Sequence, residues 1–320
     1  MPDSLLNLVS TPMPVLNTLG LNLRVGLSSE DPMAGRPSEA FEAFLSVYSP
    51  EGSLLDRMHL GQIPANRRRY FDVSAITKKL VPDDDHLVVA HRVPSRLDPK
   101  LETAEIPVEL DQTVDYSMYR GLVEYSYPEG GNGSVIYETA PNLNANIPGR
   151  KSSNTLMLTS QTVISELTES HIILIHSSVS PSYCHTATFN FAFNNYDGDR
   201  LLSDQVTIPP FSIKVLDVGK IIPADVIEQA RDPQDGLSAF TFVGYSDDAA
   251  LQFIVLSLTP SIGGVGVEHT HPTQTYLLPL NPDHRRAVKE TAQSGWKRIW
   301  SGGDQERVGS WNGYLRERQL

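Results

Sequence analysis

Two versions of one six-residue segment occur in the chain, and this repetition limits what the chain can fold into. Residues 123–128 read Val-Glu-Tyr-Ser-Tyr-Pro, and residues 267–272 read Val-Glu-His-Thr-His-Pro. The distance between the two segments is about the length of one ordinary domain, and it is several-fold longer than the repeats of solenoids and propellers. The sequence therefore predicts two tandem domains that arose by internal duplication.

Other matches occur in the same order in both halves of the chain. They include Leu54-Leu55 with Leu201-Leu202, Ile63-Pro64 with Ile208-Pro209, and Asp72-Val73 with Asp217-Val218. The recurring aspartates are predicted to be helix N-caps or turn residues rather than catalytic acids. We predict an N-terminal arm at residues 1–20, a first repeat at 21–153, a second repeat at 154–283 and a C-terminal tail at 284–320.

Each repeat has the local pattern of β-structure. Short segments rich in Val, Ile, Tyr, Phe and Thr alternate with clusters of Gly, Pro, Asn and Asp, which is typical of strands separated by turns. The period of two in residues 186–193 places Phe189, Phe191 and Phe193 on one face, which should be core. The sequence predicts an all-β protein of two antiparallel β-sandwiches, Ig-like or jelly-roll-like, followed by a short helical or irregular tail.

Composition excludes several classes of protein. The chain has 320 residues with 40% hydrophobic content, which does not favour disorder, and no apolar run approaches the roughly 20 residues that span a bilayer. Residues 1–7 lack the features of a secretory signal. Cys184 is the only cysteine, so no intrachain disulfide can form, and we expect a small buried thiol. These features predict a cytoplasmic protein without a membrane span.

The C-terminal tail differs in charge from the rest of the chain. Residues 284–320 hold all three tryptophans and eight basic against four acidic side chains, while the remainder is strongly acidic. Aromatic and arginine side chains anchor many protein interfaces. We predict that the tail docks on a second copy of the chain or on another protein, with its folding back onto the second domain as the alternative. The predicted interface residues are Trp296, Trp300, Trp311, Arg298, Arg307 and Arg316. We expect no nucleic-acid partner, because an acidic body repels phosphate.

His269 and His271 are separated by one residue, so on a strand they project to the same side. Two imidazoles on one face can bind Zn, Fe or Cu, and a third ligand would come from His176, His185 or His171. The structural alternative is that the two histidines are outward-facing or interface groups, like Tyr125 and Tyr127 in the first segment. If a metal binds, the site belongs to the second domain alone.

Two functions therefore stay open. The favoured hypothesis is a non-catalytic binding or structural assembly protein without a cofactor. The alternative is a metal-dependent oxygenase or hydrolase that uses the His-x-His pair. The His-Thr-His tripeptide resembles the one on a strand of copper monooxygenases of the peptide-amidating type, although the disulfides and first-domain histidine cluster of that family have no counterpart here. A basic cluster at Arg67-Arg68-Arg69 is interpreted as a solvated loop, with contact to an anion or an acidic partner as the alternative.

Overall fold

The computed structural model describes most of the two repeats. The described residues are 9–29, 39–95, 120–138, 146, 155–178, 182–195, 200–246 and 248–268. They form four antiparallel sheets of four strands each, with a few short helices. The predicted all-β class and the two antiparallel sandwich domains are confirmed. No helix in these residues is both long and apolar enough to cross a membrane.

Among the described residues, domain 1 contains eight strands and one short α-helix, besides a 3-10 helix at Asn17–Leu19. They are β1 Val9–Val15, β2 Asn22–Ser28, β3 Phe41–Tyr48, β4 Leu54–Ile63, β5 Arg68–Asp72, α1 Val73–Thr77, β6 His86–Pro94, β7 Arg120–Ser126 and β8 Asn132–Glu138. The strand order is β1-β6-β3-β4 in one sheet, called sheet 1A, and β5-β2-β7-β8 in the other, called sheet 1B. Strand β1 lies within the stretch predicted as an N-terminal arm.

The described part of domain 2 contains eight strands and two short α-helices, besides a 3-10 helix at Pro260–Ile262. They are β9 Thr155–Ile164, β10 Glu169–His176, β11 Ala187–Asn194, β12 Arg200–Ile208, β13 Ser212–Asp217, α2 Val218–Ile221, α3 Ala224–Gln229, β14 Ser238–Ser246, β15 Gln252–Thr259 and β16 Gly264–Glu268. Sheet 2A has the order β9-β14-β11-β12, and sheet 2B has the order β13-β10-β15-β16. Each strand occupies the place of the strand eight numbers earlier, so the predicted duplication is confirmed. The boundary near Asn154 stays a prediction, because residues 147–154 lie outside the described ranges.

The six-residue segments that suggested the duplication lie on strands that are not equivalent. Val123 is on β7, whereas Val267 and Glu268 are on β16, the counterpart of β8. The true counterpart of Val123 is Val255 on β15, because Val123 pairs with β2 and Val255 pairs with β10. The proposed exchange of tyrosines for histidines at matching positions is therefore wrong.

Unequal connections explain this error. The chain from β6 to β7 runs through residues 95–119, whereas the chain from β14 to β15 runs only through residues 247–251. The matches that begin at Leu54, Ile63 and Asp72 are all separated from their partners by nearly the same number of residues. The match between 123–128 and 267–272 keeps that separation, although the shorter connection at 247–251 lies before its second segment. The two six-residue segments are therefore similar in sequence, although β7 and β16 are not equivalent strands.

Tyr125 is a core residue rather than an outward-facing group. Its side chain is fully buried, and its hydroxyl donates a hydrogen bond to the carbonyl oxygen of Pro14 at 2.8 Å. A buried tyrosine needs such a partner, because an unpaired hydroxyl in an apolar interior is costly. Tyr125 therefore joins strand β7 of sheet 1B to β1 of sheet 1A.

The predicted phenylalanine face forms the core of domain 2. Phe189, Phe191 and Phe193 are buried with Phe240 and Phe242 of β14, and the ring centroids of Phe193 and Phe242 are 5.0 Å apart. Separations of this size are typical of favourable aromatic pairs. The alternation read from the sequence is thus the alternation of the sheet.

Both recurring aspartates cap helices, as predicted. The Asp72 carboxylate accepts a hydrogen bond from the backbone N–H of Ala75 at 3.0 Å, at the start of α1. The Asp217 carboxylate accepts one from the backbone N–H of Lys220 at 3.3 Å, at the start of α2. Each bond satisfies one of the amide groups that a helix leaves without an internal partner.

The outer face of sheet 2B is buried against domain 1. Strand β10 approaches β1, β13 approaches β6, and β16 approaches β7 and β8. One continuous buried cluster contains side chains from the core of domain 1 together with Ile173, Ile175, Ile254, Leu256 and Leu258 of sheet 2B. Residues on the other side of the same strands, such as Ile172 and Val255, belong to the core of domain 2. Sheet 2B is therefore covered on both faces, which explains its uninterrupted apolar runs.

Candidate functional site

The His-x-His pair lies outside the described residues, because β16 ends at Glu268. The metal role of His269 and His271 therefore stays a prediction. The six interface residues predicted in the tail, at positions 296, 298, 300, 307, 311 and 316, also lie outside the described residues. Their docking role is likewise a prediction that the fold leaves open.

His176, a predicted third ligand, is a buried residue of β10. Its Nδ1 lies 3.0 Å from the carbonyl oxygen of Ile208 and 3.1 Å from that of Pro209, so Nδ1 carries the proton that is donated. Its Nε2 lies 3.2 Å from the hydroxyl of Tyr183. Burial lowers the pKa of His176 to about 4, so the ring is neutral near pH 7. Both ring nitrogens therefore fix the C-terminal end of β10, Nδ1 to the segment at Ile208 and Pro209 and Nε2 to Tyr183.

His185, another predicted third ligand, lies in the loop before β11. Its Nε2 lies 3.3 Å from a carboxylate oxygen of Asp248, and the side chain is about half exposed. The ring of Tyr183 lies between the two histidines, with centroids 5.4 Å from His176 and 6.3 Å from His185. In the part of the chain that the structure describes, no group of three or more His, Cys, Asp or Glu side chains is arranged to hold a metal ion.

Two other predictions in this loop and strand are settled by exposure and contacts. Cys184 is exposed, so the expectation of a buried thiol is wrong. His171 on β10 is 2% exposed, and its Nε2 lies 3.4 Å from a carboxylate oxygen of Glu169. Cys184 is exposed because it lies in the loop before β11, and connecting loops run over the protein surface.

A buried polar network on sheet 1A escaped the sequence analysis. The Glu42 carboxylate accepts hydrogen bonds from Gln62 Nε2 at 2.8 Å and Ser95 Oγ at 3.0 Å, and it lies 2.8 Å from His59 Nε2. Burial alone would raise the pKa of Glu42, but the hydrogen bonds from Gln62, His59 and Ser95 hold that pKa below its usual value. Glu42 thus remains charged and ties β3 to β4 and to the end of β6.

A serine and a histidine lie in contact on the same face of sheet 1A. Ser46 Oγ is 2.9 Å from His91 Nε2, and Arg57 Nε donates to Ser46 Oγ at 2.9 Å. Burial, with a smaller effect of the Arg57 charge, lowers the pKa of His91 to about 3. A catalytic base works best with a pKa near the working pH, and its nucleophile must reach the substrate. Ser46 is fully buried, so this pair fits a structural role.

The face of sheet 1B that points away from its own core carries exposed arginine and tyrosine side chains. We call the group Arg24, Arg68, Tyr70 and Glu124 the Arg-Tyr face. The Arg24 guanidinium lies 5.1 Å from the centroid of the Tyr70 ring and 3.1 Å from the Glu124 carboxylate. The Tyr70 ring rests on Gly26, where a Cβ atom would come within 2.8 Å of a ring carbon. Glycine therefore lets the ring lie flat against the sheet.

The arginine cluster is largely a strand rather than the loop expected from the sequence, since Arg68 and Arg69 belong to β5. Arg69 Nη1 donates to the carbonyl oxygen of Gln62 at 2.8 Å, and its guanidinium lies 5.3 Å from the centroid of the Phe71 ring. Among the described residues, the guanidinium groups of Arg67 and Arg68 have no hydrogen-bond or ion-pair partner. Alternation explains the difference, because Arg69 shares a side of β5 with buried Phe71 and Arg68 shares the other side with Tyr70.

Comparison with known proteins finds similarity among solved structures. No protein-family model matches the chain, and no curated protein matches it. Solved structures that are similar include a beta-glucuronidase from glycoside hydrolase family 2, with 10% identity, a TM-score of 0.19, and coverage of 83% of this chain and 24% of that one. Another is a glycosyl hydrolase family 2 member from Bacteroides cellulosilyticus, with 8% identity, a TM-score of 0.20, and coverage of 84% and 30%. The chain thus spans less than a third of either protein, and likenesses of this size carry no argument about activity.

Proposed function

We propose that this protein is a non-catalytic binding or structural assembly protein built from two duplicated β-sandwich domains. The observation that carries the proposal is that domain 2 buries the outer face of sheet 2B against domain 1. The fold is therefore one whose sheet face serves as a surface for association with another domain.

The chemistry of that buried face supports an association role. Ile173, Ile254 and Leu256 are each at most 1% exposed, although they point away from the core of their own domain. Each fully buried side chain of this kind contributes about 1.5–3 kcal/mol relative to its exposed state. Such a face is stable only when it is covered, and domain 1 covers it here.

The C-terminal tail supplies the second part of the proposal. Its three tryptophans and its excess of basic side chains contrast with the acidic remainder of a chain whose net charge is −12. Aromatic and arginine anchors combined with opposite charge favour docking on an acidic protein surface. We therefore place the tail on a neighbouring copy of the chain or on a partner protein.

Light scattering of the full chain and of a chain truncated before Gly302 tests this function. We expect the full chain to have a mass above that of a monomer and the truncated chain to have a lower mass. The point variant Trp311→Ala serves as a control for the loss of one anchor without the loss of backbone. An unchanged mass after truncation, with unchanged thermal unfolding, contradicts docking of the tail between copies.

A further inference from the structure

The Arg-Tyr face and the adjoining Arg67 present two guanidinium groups that have no partner among the described residues of an acidic protein. Arg68 points to the same side of sheet 1B as Tyr70, and Arg67 adjoins it in the turn before β5. Neither guanidinium group has a partner among the described residues, while the chain as a whole carries a net charge of −12. Guanidinium groups that stay unpaired beside an exposed aromatic ring are typical of surfaces that bind carboxylates.

The aromatic part of the face is held in place before any partner arrives. Tyr70 is 46% exposed, yet its ring is held between the backbone at Gly26 and the Arg24 guanidinium. A side chain that is fixed in the free protein loses little conformational freedom on binding. The face therefore has the composition and rigidity of an interface anchor, with Glu124 orienting Arg24 from the other side.

An acidic segment on domain 2 has the complementary charge. Residues 225–235 begin in helix α3 and contain Asp225, Glu228, Asp232 and Asp235 against the single basic residue Arg231. Arg231 is already paired with Glu228 at 2.9 Å. Asp225 is exposed, and its carboxylate has no partner among the described residues.

The other two acids keep free carboxylate oxygens. One oxygen of Asp232 accepts from the backbone N–H of Gln234 at 2.7 Å, and one oxygen of Asp235 accepts from that of Leu237 at 2.9 Å. Both residues are exposed, so their second oxygens point to solvent or to a partner. The hydrogen bonds fix the turn, and the net negative charge of the segment remains uncompensated.

We propose that the Arg-Tyr face of one copy of this chain binds the acidic segment 225–235 of a second copy. This inference rests on the proposed assembly function and adds a contact that is independent of the tail. Within one copy, no ion pair joins the two surfaces among the described residues, so the complementary charges meet only between molecules. The contact pairs two different surfaces, and repetition of it builds rings or rows of copies.

A polynucleotide is a poorer occupant of the face. The acidic side chains of Glu124 and Asp72 lie on the same side of sheet 1B, and the net charge of the chain repels phosphate. Carboxylates presented by a short protein segment can reach Arg67 and Arg68 without bringing a long anionic backbone over these acids.

Sedimentation of the full-length protein over a range of concentrations tests the contact. It is measured at a low salt concentration of about 50 mM and at a high one of about 500 mM. We expect the association to weaken at high salt. We also expect Arg68→Glu to lower the association constant roughly tenfold. Asp225→Lys should weaken it similarly. An equimolar mixture of the Arg68→Glu and Asp225→Lys proteins tests complementarity. In the mixture, the reversed face of one protein can meet the reversed segment of the other, and the two unchanged surfaces can also meet.

The control for the charge change is Lys79→Glu, which makes the same exchange at an exposed residue after helix α1. It should leave association unchanged. A double variant carrying Arg68→Glu and Asp225→Lys in one chain should recover association, because the reversed charges attract again. Association that resists Arg68→Glu overturns the proposal, and so does a double variant no better than the single ones.

The tail and the Arg-Tyr face fail in different ways. If truncation before Gly302 lowers the mass but Arg68→Glu does not, the assembly function stands and the proposed contact falls. If the reverse holds, the contact stands and docking of the tail falls. A monomer under every condition overturns both. A labelled oligonucleotide that binds the wild type but not Arg68→Glu would identify phosphate as the ligand and also reject the proposal.

Discussion

The outer faces of sheets 1B and 2B have the same backbone and opposite chemistry. The strand registers place Tyr70 and Val215 at equivalent positions, because Tyr70 pairs with Gly26 and Val215 with Ile173. The corresponding pairs across the two faces are Arg24 with His171, Gly26 with Ile173, Arg68 with Ile213, Tyr70 with Val215, Leu122 with Ile254 and Glu124 with Leu256. One face is open and polar, and the other is apolar and buried against domain 1.

This difference explains why sheet 2B is covered by domain 1. The inward side chains of both copies stay apolar, so each sandwich keeps its own core. Five of the six compared outward positions on sheet 2B are Ile, Val or Leu, with His171 as the exception, and these five pack in the cluster shared with domain 1. The polar positions of sheet 1B prevent domain 1 from using its own face in the same way, since burying an unpaired charge is costly.

Leu256→Glu breaks the comparison most strongly, because it places the residue of domain 1 on the face of domain 2. Leu256 is fully buried, so the variant buries a carboxylate without a partner. We expect the free energy of unfolding to fall by about 3–5 kcal/mol, measured by urea denaturation. The reverse change, Glu124→Leu, removes a 15% exposed carboxylate that pairs with the half-exposed Arg24, and it should alter stability by no more than about 1 kcal/mol. Equal effects of the two variants would show that the faces do not differ in burial.

Gly133→Ala tests the junction between the two hairpins. An added Cβ atom at Gly133 would lie 2.5 Å from the carbonyl oxygen of Val265 and 2.8 Å from a methyl group of Val267. The backbone must move to relieve this overlap, so we expect a loss of about 1–3 kcal/mol in thermal unfolding. Gly131→Ala is the matched control, since its Cβ atom would come no closer than 3.4 Å to Gly263. A similar loss in both variants would contradict a close approach at Gly133.

His176→Asn tests how the stability of domain 2 depends on pH. The pKa of His176 is lowered to about 4 by burial, so the unfolded chain, with an ordinary histidine pKa near 6.5, binds a proton first as the pH falls. Its contribution is fully present above about pH 6.5 and is lost as the pH falls toward 4, at up to about 1.4 kcal/mol per pH unit. We expect the variant to show a shallower decline of stability between pH 7 and pH 5.

His91 in domain 1 has a pKa lowered to about 3 by burial, so His91→Gln should flatten the same limb. A slope that neither variant changes would mean that these rings gain protons as easily when folded as when unfolded.

The two helix caps should have equal and smaller effects. Asp72→Ala and Asp217→Ala each remove one hydrogen bond to the first turn of a helix. We expect each to lower the free energy of unfolding by about 1 kcal/mol. Lys220 also pairs with Asp217 at 2.8 Å, but it is highly exposed, so Lys220→Ala should have a much smaller effect than the loss of the cap. A much larger effect at Asp217 would show that the ion pair matters more than the cap.

The fold was predictable because its signals are local. Alternation in residues 186–193 fixed the core face of β11, and Asp72 and Asp217 marked two equivalent helix starts. The uninterrupted apolar run Ile172–Ile175 also reflects burial on both faces, although the partner that covers the second face is not visible in the sequence. Matching the segment at 267–272 failed because a connection of changed length lies before it.

The polar network on sheet 1A was not predictable for a different reason. Glu42 and Ser46 are ordinary members of an alternating strand, and only strand pairing brings His59 and His91 beside them. Contacts between residues far apart in sequence depend on register, which one sequence does not state. Period two did place Glu42 and Ser46 on one side of β3, and that shared side is the signal that could have found the network.

One close contact between the domains lies at the turns that precede β8 and β16. Gly130 and Gly263 are at equivalent positions of the two repeats, and a Cβ atom on Gly130 would lie 2.8 Å from Gly263 Cα. Gly131 precedes β8, Gly263 precedes the equivalent strand β16, and the backbone N–H of Gly131 donates to the carbonyl oxygen of Gly263 at 2.9 Å. The covalent link between the repeats keeps these two turns at a high effective concentration, so their contact does not depend on how dilute the protein is.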